Sequence, residues 1–198
     1  EDYLRLLRFF RFQAHYGRQP PDPEILAVAG ELAPELARLS GERIRNELLR
    51  LLAAADPLPV LELMLDHDIL APVLPDIAGT AALRRLIELG LPETAEPLLR
   101  LSALLPPGAA TAEAVARRLR LSNAEAGDLA MLADPEALLG DAAAVFTRPA
   151  SDPAVRHGLA IALYRHGAEA LRRALILAFA RLAAADPDLS ARARGGLD

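Results

Sequence analysis

The sequence predicts an all-α protein built from many short helices, and three observations carry that prediction. Apolar residues make up 53% of the 198 residues but aromatics only 4%. The core must therefore be mostly Leu and Ala, which together with Arg and Glu favour helices over strands. Apolar positions recur at helical spacing, as in "RIRNELLRLL", where Ile44, Leu48, Leu51 and Leu52 form one stripe. Pro and Gly interrupt the pattern at short intervals, and no stretch alternates long enough to make a useful strand.

Residues 1–16 read as the first helix, ending before Gly17 and the breaker "GRQPPDP". At about 100° per residue, Tyr3, Leu6, Leu7, Phe10 and Ala14 share one arc. Asp2, Arg5, Arg8 and Arg11 lie on the other, in the company of Phe9 and Phe12. Two phenylalanines among arginines imply a helix covered on more than one side. Asp22-Pro23 opens the next helix, which is interrupted at Gly30 or Pro34. Ser40 is the expected N-cap of "GERIRNELLRLLAAA", with Glu42 in the first turn where the helix dipole favours an acid. Asp56-Pro57 starts a further helix through residue 70.

Residues 72–110 are punctuated by Pro and Gly, with helices expected at about 80–89 and 93–104 and a break near 106–110. Thr111 is the expected cap of the helix that follows. Ser122 and Glu125 form a capping box for another. "DPAVRHGLAIALYRHG" and "AEALRRALILAFARLAAA" read as a helix pair split at Gly167.

The formal charge is −5, which argues against a generic polyanion binder. It is unevenly spread. Residues 51–110 hold three Arg against eight acids, whereas 1–50 and 111–198 each balance. The chain has no cysteine, so disulfides, thiolate metal sites and Cys nucleophiles are excluded. No stretch has the apolar length of a membrane span, and nothing reads as a signal peptide. The expectation is a cytoplasmic protein with no membrane partner.

Enzyme signatures are few. Asp66-His67-Asp68 has the spacing of a metal-binding D-x-D, but at a helix end its two carboxylates point about 200° apart. The four His show no metal-ligand pairing, and there is neither a nucleophile elbow nor a phosphate-cradling glycine loop. No catalytic residue and no metal ligand is therefore assigned.

Asp2 and Arg5 are three apart on the first helix and face the same way. They read either as an ordinary ion pair or as a hydrogen-bonding template. A carboxylate accepts from an exocyclic amino group while a guanidinium donates to the neighbouring ring acceptor. Cytosine and adenine offer that pattern on the pairing edge; uracil and guanine offer its reverse. Mismatched groups left unpaired would cost about 1–3 kcal/mol each.

"EDYLRLLRFFRFQAHYG" followed by "LSGERIRNELLRLL" resembles the neck of bacterial tRNA nucleotidyltransferases of class II (CCA-adding enzymes) and poly(A) polymerases. Glu1-Asp2-x-x-Arg5 matches that family's E-D-x-x-R motif, "RFFRF" the run after it, and "SGERIRNE" the later neck motif. The strong match covers residues 1 to about 70; "LRLSNAEAGDL" resembles a body-and-tail segment.

The resemblance implies a neck at 1–70 and a helical body and tail at 71–198. It implies that Asp2 and Arg5 template the base of CTP or ATP, with Arg8 in the same nucleotide-binding region. Arg11, Arg43 and Glu47 would support the neck, and Phe9 and Phe12 would pack against a head or the second neck helix. Arg117, Arg118, Arg120, Arg172 and Arg173 are the candidates for contact with a tRNA or other RNA 3′ end. Family members carry a catalytic head before the neck that holds Mg²⁺. The expectation is a fragment without that head, inactive alone, with no cofactor of its own. The alternative is a free-standing helical interaction module. Whether the parent adds CCA, a single A or poly(A) is left open by the residues.

Overall fold

In a computed structural model, residues 3–149 and 151–186 are described. All regular structure among them is helical. The α-helices are α1 (Tyr3–Tyr16), α2 (Pro23–Leu32), α3 (Gly41–Leu52), α4 (Leu58–Asp66), α5 (Ala81–Glu88), α6 (Pro97–Leu104), α7 (Ala109–Leu119), α8 (Asn123–Ala133), α9 (Pro135–Leu139) and α10 (Pro153–Ala185). Short 3₁₀ turns occupy Ala33–Arg38, Pro92–Ala95 and Gly140–Phe146. No described helix is long and apolar enough to cross a membrane.

The prolines place these breaks. Pro34 sits in the first turn of the 3₁₀ segment that follows α2, and Pro97 restarts the helix as α6 after the tighter turn at Pro92–Ala95. Of two further capping expectations, that of Ser40 holds by position and that of Thr111 is corrected. Ser40 occupies the N-cap position of α3, but its side chain makes no capping bond. Thr111 is not a cap, because α7 begins two residues earlier, behind Gly108 with φ 127°. The capping box is present: Ser122 accepts from the Glu125 N–H, and Glu125 accepts from the Ser122 N–H at 2.7 Å.

One core runs from Leu4, Leu7 and Phe10 of α1 to Ile176, Leu177 and Ala180 of α10. The Pro106-Pro107-Gly108 link does not divide it, since Leu104 and Leu105 on one side share the cluster with Ala112 and Val115 on the other. A smaller cluster holds Leu139, Ala142, Ala162, Leu171, Ala174 and Ala178. The second half of α10 is the seam between the two. Gly167, with φ 82° and ψ 166°, breaks α10 as its position in the sequence predicts.

Many helix ends are held by arginine. Arg100 of α6 is buried and donates to the carbonyls of Thr94 and Leu52 at 2.6 Å and of Ala54 at 2.5 Å, closing the end of α3. Burial pulls its pKa below the usual value. Arg181 of α10 reaches the Ser102 carbonyl at 3.0 Å, and Arg118 of α7 reaches that of Pro72 at 3.1 Å.

The start of α3 meets the end of α7 backbone to backbone. Gly41 is buried, and a Cβ there would overlap the carbonyl oxygen of Arg118. Around it, Glu42 accepts from Arg120 at 3.0 Å, while Arg45 donates to the Arg120 carbonyl at 3.0 Å and to Glu125 at 3.3 Å. Burial pushes the Glu125 carboxyl up, but the Ser122 N–H and hydroxyl, with Arg45, bring it net below its ordinary value.

Two outcomes follow for urea unfolding. Gly41→Ala should lose about 1–3 kcal/mol by overpacking against a backbone that cannot yield. Gly127→Ala, at an exposed α8 position with nothing within 4 Å of a new Cβ, should gain about 0.5–1 kcal/mol. Because Glu125 is more acidic folded than unfolded, its stabilisation is complete above the ordinary carboxylate range and fades as pH falls through its lowered value. The stability gap between wild type and Glu125→Ala should therefore be constant near neutrality and close in acid; a gap that widens in acid would contradict the assignment.

Candidate functional site

The site expected from the sequence is built on α1 and α3. Leu4, Leu7 and Phe10 bury one stripe of α1, and Tyr3, Leu6, Phe9 and Ala14 lie half-buried beside it. Leu4 is thus a core residue that the helical wheel above leaves out. Phe9 packs edge-on to Phe10 with ring centroids 5.1 Å apart. Phe12 is different: it is 50% exposed, with the Arg11 guanidinium 4.2 Å from its ring centroid and the Tyr16 ring, tilted by 31°, centred 6.0 Å away.

At the meeting of the two helices sits Glu47, only 5% exposed. Its two oxygens are taken by two guanidiniums from α1: Arg8 Nε at 3.2 Å from Oε1 and Arg11 Nε at 2.7 Å from Oε2. One turn further along, His15 Nε2 lies 2.7 Å from the Arg50 carbonyl. A buried carboxylate is tolerable only when paired and hydrogen-bonded, and here it is clamped from both sides. Arg11 is mostly covered, whereas the Arg8 side chain keeps 53% of its surface exposed. The trio is net positive. Arg5, exposed on α1, stands one turn before Arg8, and Arg43, exposed on α3, stands one turn before Glu47. Asp2 lies outside the described residues. What the arrangement offers chemically is an α1 held at a fixed rotation on α3, with cationic and aromatic side chains turned outward.

The sequence misses part of this surface. Tyr16 is 73% exposed and falls one turn after Phe12, so the two rings make an outward aromatic pair. The i,i+4 spacing of the rings was legible, but their exposure depends on which flank of α1 the core takes.

The five arginines expected to meet RNA are scattered and engaged. Arg117 pairs with Glu113 at 3.4 Å, Arg118 with the Pro72 carbonyl, Arg120 with Glu42, and Arg172 with Glu93, whose pKa this contact holds below the usual range. Arg173 is corrected to an interior residue: it is 5% exposed, with Nη2 2.9 Å from Glu96 and Nη1 3.4 Å from Asp128, and so presents nothing to an external phosphate. The same burial raises Glu96 above its usual range despite the Arg173 charge. Asp66 closes α4 and Asp68 adopts φ 55°, so the D-x-D forms no joint face. Among the described residues no three His, Asp or Glu cluster as a metal site would require.

Residues 21–80 match the family described as "Probable RNA and SrmB- binding site of polymerase A". Over 71 residues the chain is 42% identical to the mitochondrial CCA tRNA nucleotidyltransferase 1 of Homo sapiens, a stretch covering 35% of this chain and 16% of that protein. The Danio rerio and Mus musculus proteins of the same name match at 44% over 66 residues and 48% over 54 residues, covering 15% and 12% of their lengths. The chain thus spans well under a fifth of these relatives. Over this part, the resemblance to the CCA-adding and poly(A) polymerase family stands.

The clamp predicts an order of mutational costs. Glu47→Gln should cost about 2–4 kcal/mol of unfolding free energy, since it withdraws the countercharge from a covered Arg11. Arg8→Ala, at a half-solvated site, should cost under about 1 kcal/mol. Denaturant titration checks the ranking, and equal costs would show that Glu47 is not the anchor.

Proposed function

We propose that this chain is the neck, body and tail of a nucleotidyltransferase that adds C or A to an RNA 3′ end, and that its α1–α3 surface contacts the nucleotide and the RNA. The supporting observation is the Glu47 clamp. The arginines of one motif, Arg8 and Arg11 in "RLLRFFRF", close on the glutamate of the other, "SGERIRNE". Two segments that the sequence sets about 35 residues apart thus become one unit. The similarity of residues 21–80 to an RNA-binding segment of polymerase A supports the same reading.

In this reading α1 is a ruler. Glu47 fixes the rotation of α1 through Arg8, and with it the placing of Arg5 one turn before; the resemblance assigns the carboxylate that partners Arg5 to Asp2. The carboxylate accepts from the amino group and the guanidinium donates to the ring acceptor of cytosine or adenine. Uracil and guanine leave both groups unpaired and are rejected for that reason. Arg8, half exposed, would neutralise triphosphate charge. The transfer itself, and its Mg²⁺, belong to a head domain outside this sequence; the described residues offer no metal site, and no chemical step is assigned to them.

Nucleotide incorporation by the longer protein, with a tRNA lacking its CCA end, tests the reading. Wild type should incorporate CTP and ATP and refuse UTP and GTP. Asp2→Ala should lose that refusal by about tenfold or more, the equivalent of one unpaired group. Unchanged selectivity in Asp2→Ala would reject the templating role, and no incorporation by wild type would reject the enzyme assignment.

A further inference from the structure

The outward face of α2 stands outside everything described so far. Its inner side is firmly seated. Leu26, Ala29 and Ala33 are buried in the main core, and a Cβ on Gly30 would lie 3.1 Å from the His67 carbonyl oxygen at the end of α4. The start of the helix is fixed as well, since Asp22 accepts from the Glu24 N–H at 2.8 Å. The helix therefore cannot roll to hide other residues. Yet Ile25 is 48% exposed, Val28 52% and Leu32 42%. At about 100° per residue these three share an arc of about 60°, on the side turned away from Gly30.

The spacing of the three, first three residues and then four, is the a–d–a pattern of a heptad seam. In that register Glu24 and Glu31 both take the g position, beside Val28, while Ala29 takes e and is turned into the core. The seam thus has one charged flank, and it is acidic. Residues 19–37 contain Asp22, Glu24, Glu31 and Glu35 and neither Arg nor Lys. Asp22 is occupied as the cap of α2, and Glu35 is held by Arg38 at 2.6 Å. The exposed side chains of Glu24 and Glu31 form no ion pair among the described residues.

We propose that the Ile25–Val28–Leu32 seam docks a helix of a protein partner, one whose own apolar a/d stripe is flanked by Lys or Arg. Aliphatic anchors at helical spacing on a rigid helix are what a second helix packs against. The charge selects the partner. A phosphate-bearing surface, whether RNA or anionic lipid, would face two unpaired carboxylates. A second copy of this chain is also a poor match: antiparallel pairing of the seams sets glutamate against glutamate, and parallel pairing sets Glu24 against the buried Ala29. A cationic helix gives both glutamates a partner while the three aliphatic side chains leave water. The proposal does not depend on the nucleotidyltransferase reading above, and it uses a face that the nucleotide and RNA contacts leave free.

Heteronuclear NMR of the isotope-labelled 198-residue chain, titrated with two three-heptad peptides, tests it. Both peptides carry Leu at a and d; one has Lys at e and g, the other Glu. The Lys peptide should shift the amide signals of α2 and bind about five- to tenfold more tightly than the Glu peptide, from two attractive pairs gained and two repulsive ones avoided. Val28→Asp should weaken the Lys peptide by about tenfold or more, the loss of one apolar anchor. Ala27→Gln, exposed on α2 but outside the seam, should bind like wild type. Glu24→Lys with Glu31→Lys should reverse the preference toward the Glu peptide. Circular dichroism should show every variant folded, since the replaced side chains are exposed. Absence of α2 shifts with the Lys peptide, equal binding of the two peptides, or wild-type affinity in Val28→Asp would overturn the proposal. So would sedimentation showing a wild-type dimer that Val28→Asp dissolves, which would give the seam to a second copy.

Discussion

Guanidinium on carbonyl is the interaction on which the architecture depends. A chain cut into short helices exposes up to four unpaired carbonyls at each C-terminal end, and many of those ends are buried here. Lysine is absent, and arginine closes them. Arg45 reaches the end of α7, Arg100 the end of α3, Arg118 the loop at Pro72, and Arg181 the ends of α6 and α8. The planar fork suits this task because one side chain can serve several oxygens at fixed angles. Arg100 does so for Thr94, Leu52 and Ala54 together. The same residue type that suggests nucleic-acid contact on the page of a sequence is, in the folded chain, largely consumed by its own backbone.

The candidate site inherits its rigidity from this bracing. Glu47 fixes α1 on α3 through Arg8 and Arg11. The other end of α3 is seated on α7 and α8 through Gly41, Glu42 and Arg45. The motif "SGERIRNE" therefore works in two directions. Its glycine and first charged residues hold the helices that follow, and its last glutamate holds the helix that precedes. A displacement at the α7–α8 joint would be transmitted along one stiff helix to the face that carries Arg5 and Arg8.

Local features were readable from the residues. The capping box at Ser122 and Glu125, the break at Gly167 and the helix interrupted near Pro34 all follow from short-range chemistry, in which the residues that decide sit within one turn of each other. The resemblance carried the all-important pairing of two distant motifs. What was not readable depends on long-range partners. Ser40 does stand at the N-cap of α3, but that its hydroxyl makes no capping bond is not visible in the residues. Thr111 looks like a cap, but Gly108 with its positive φ lets the helix begin earlier. Arg173 has the sequence context of a surface arginine, yet Glu96 and Asp128, from α6's threshold and α8, draw it inside. Phe12 and Tyr16 are exposed because the core takes the flank of α1 that carries Leu4 and Phe10.

The carbonyl braces also set how the molecule should come apart. A peptide oxygen has no proton to gain within any ordinary range of acidity, and a guanidinium has none to lose. Carboxylate pairs such as those of Glu42 and Glu125 dissolve on acidification, whereas the grips of Arg100 and Arg181 on main-chain oxygens do not. Acid should first loosen the joint between α3 and the α7–α8 corner and leave the inner scaffold of α3, α6 and α10 knitted together, a disassembly that proceeds from the rim inward.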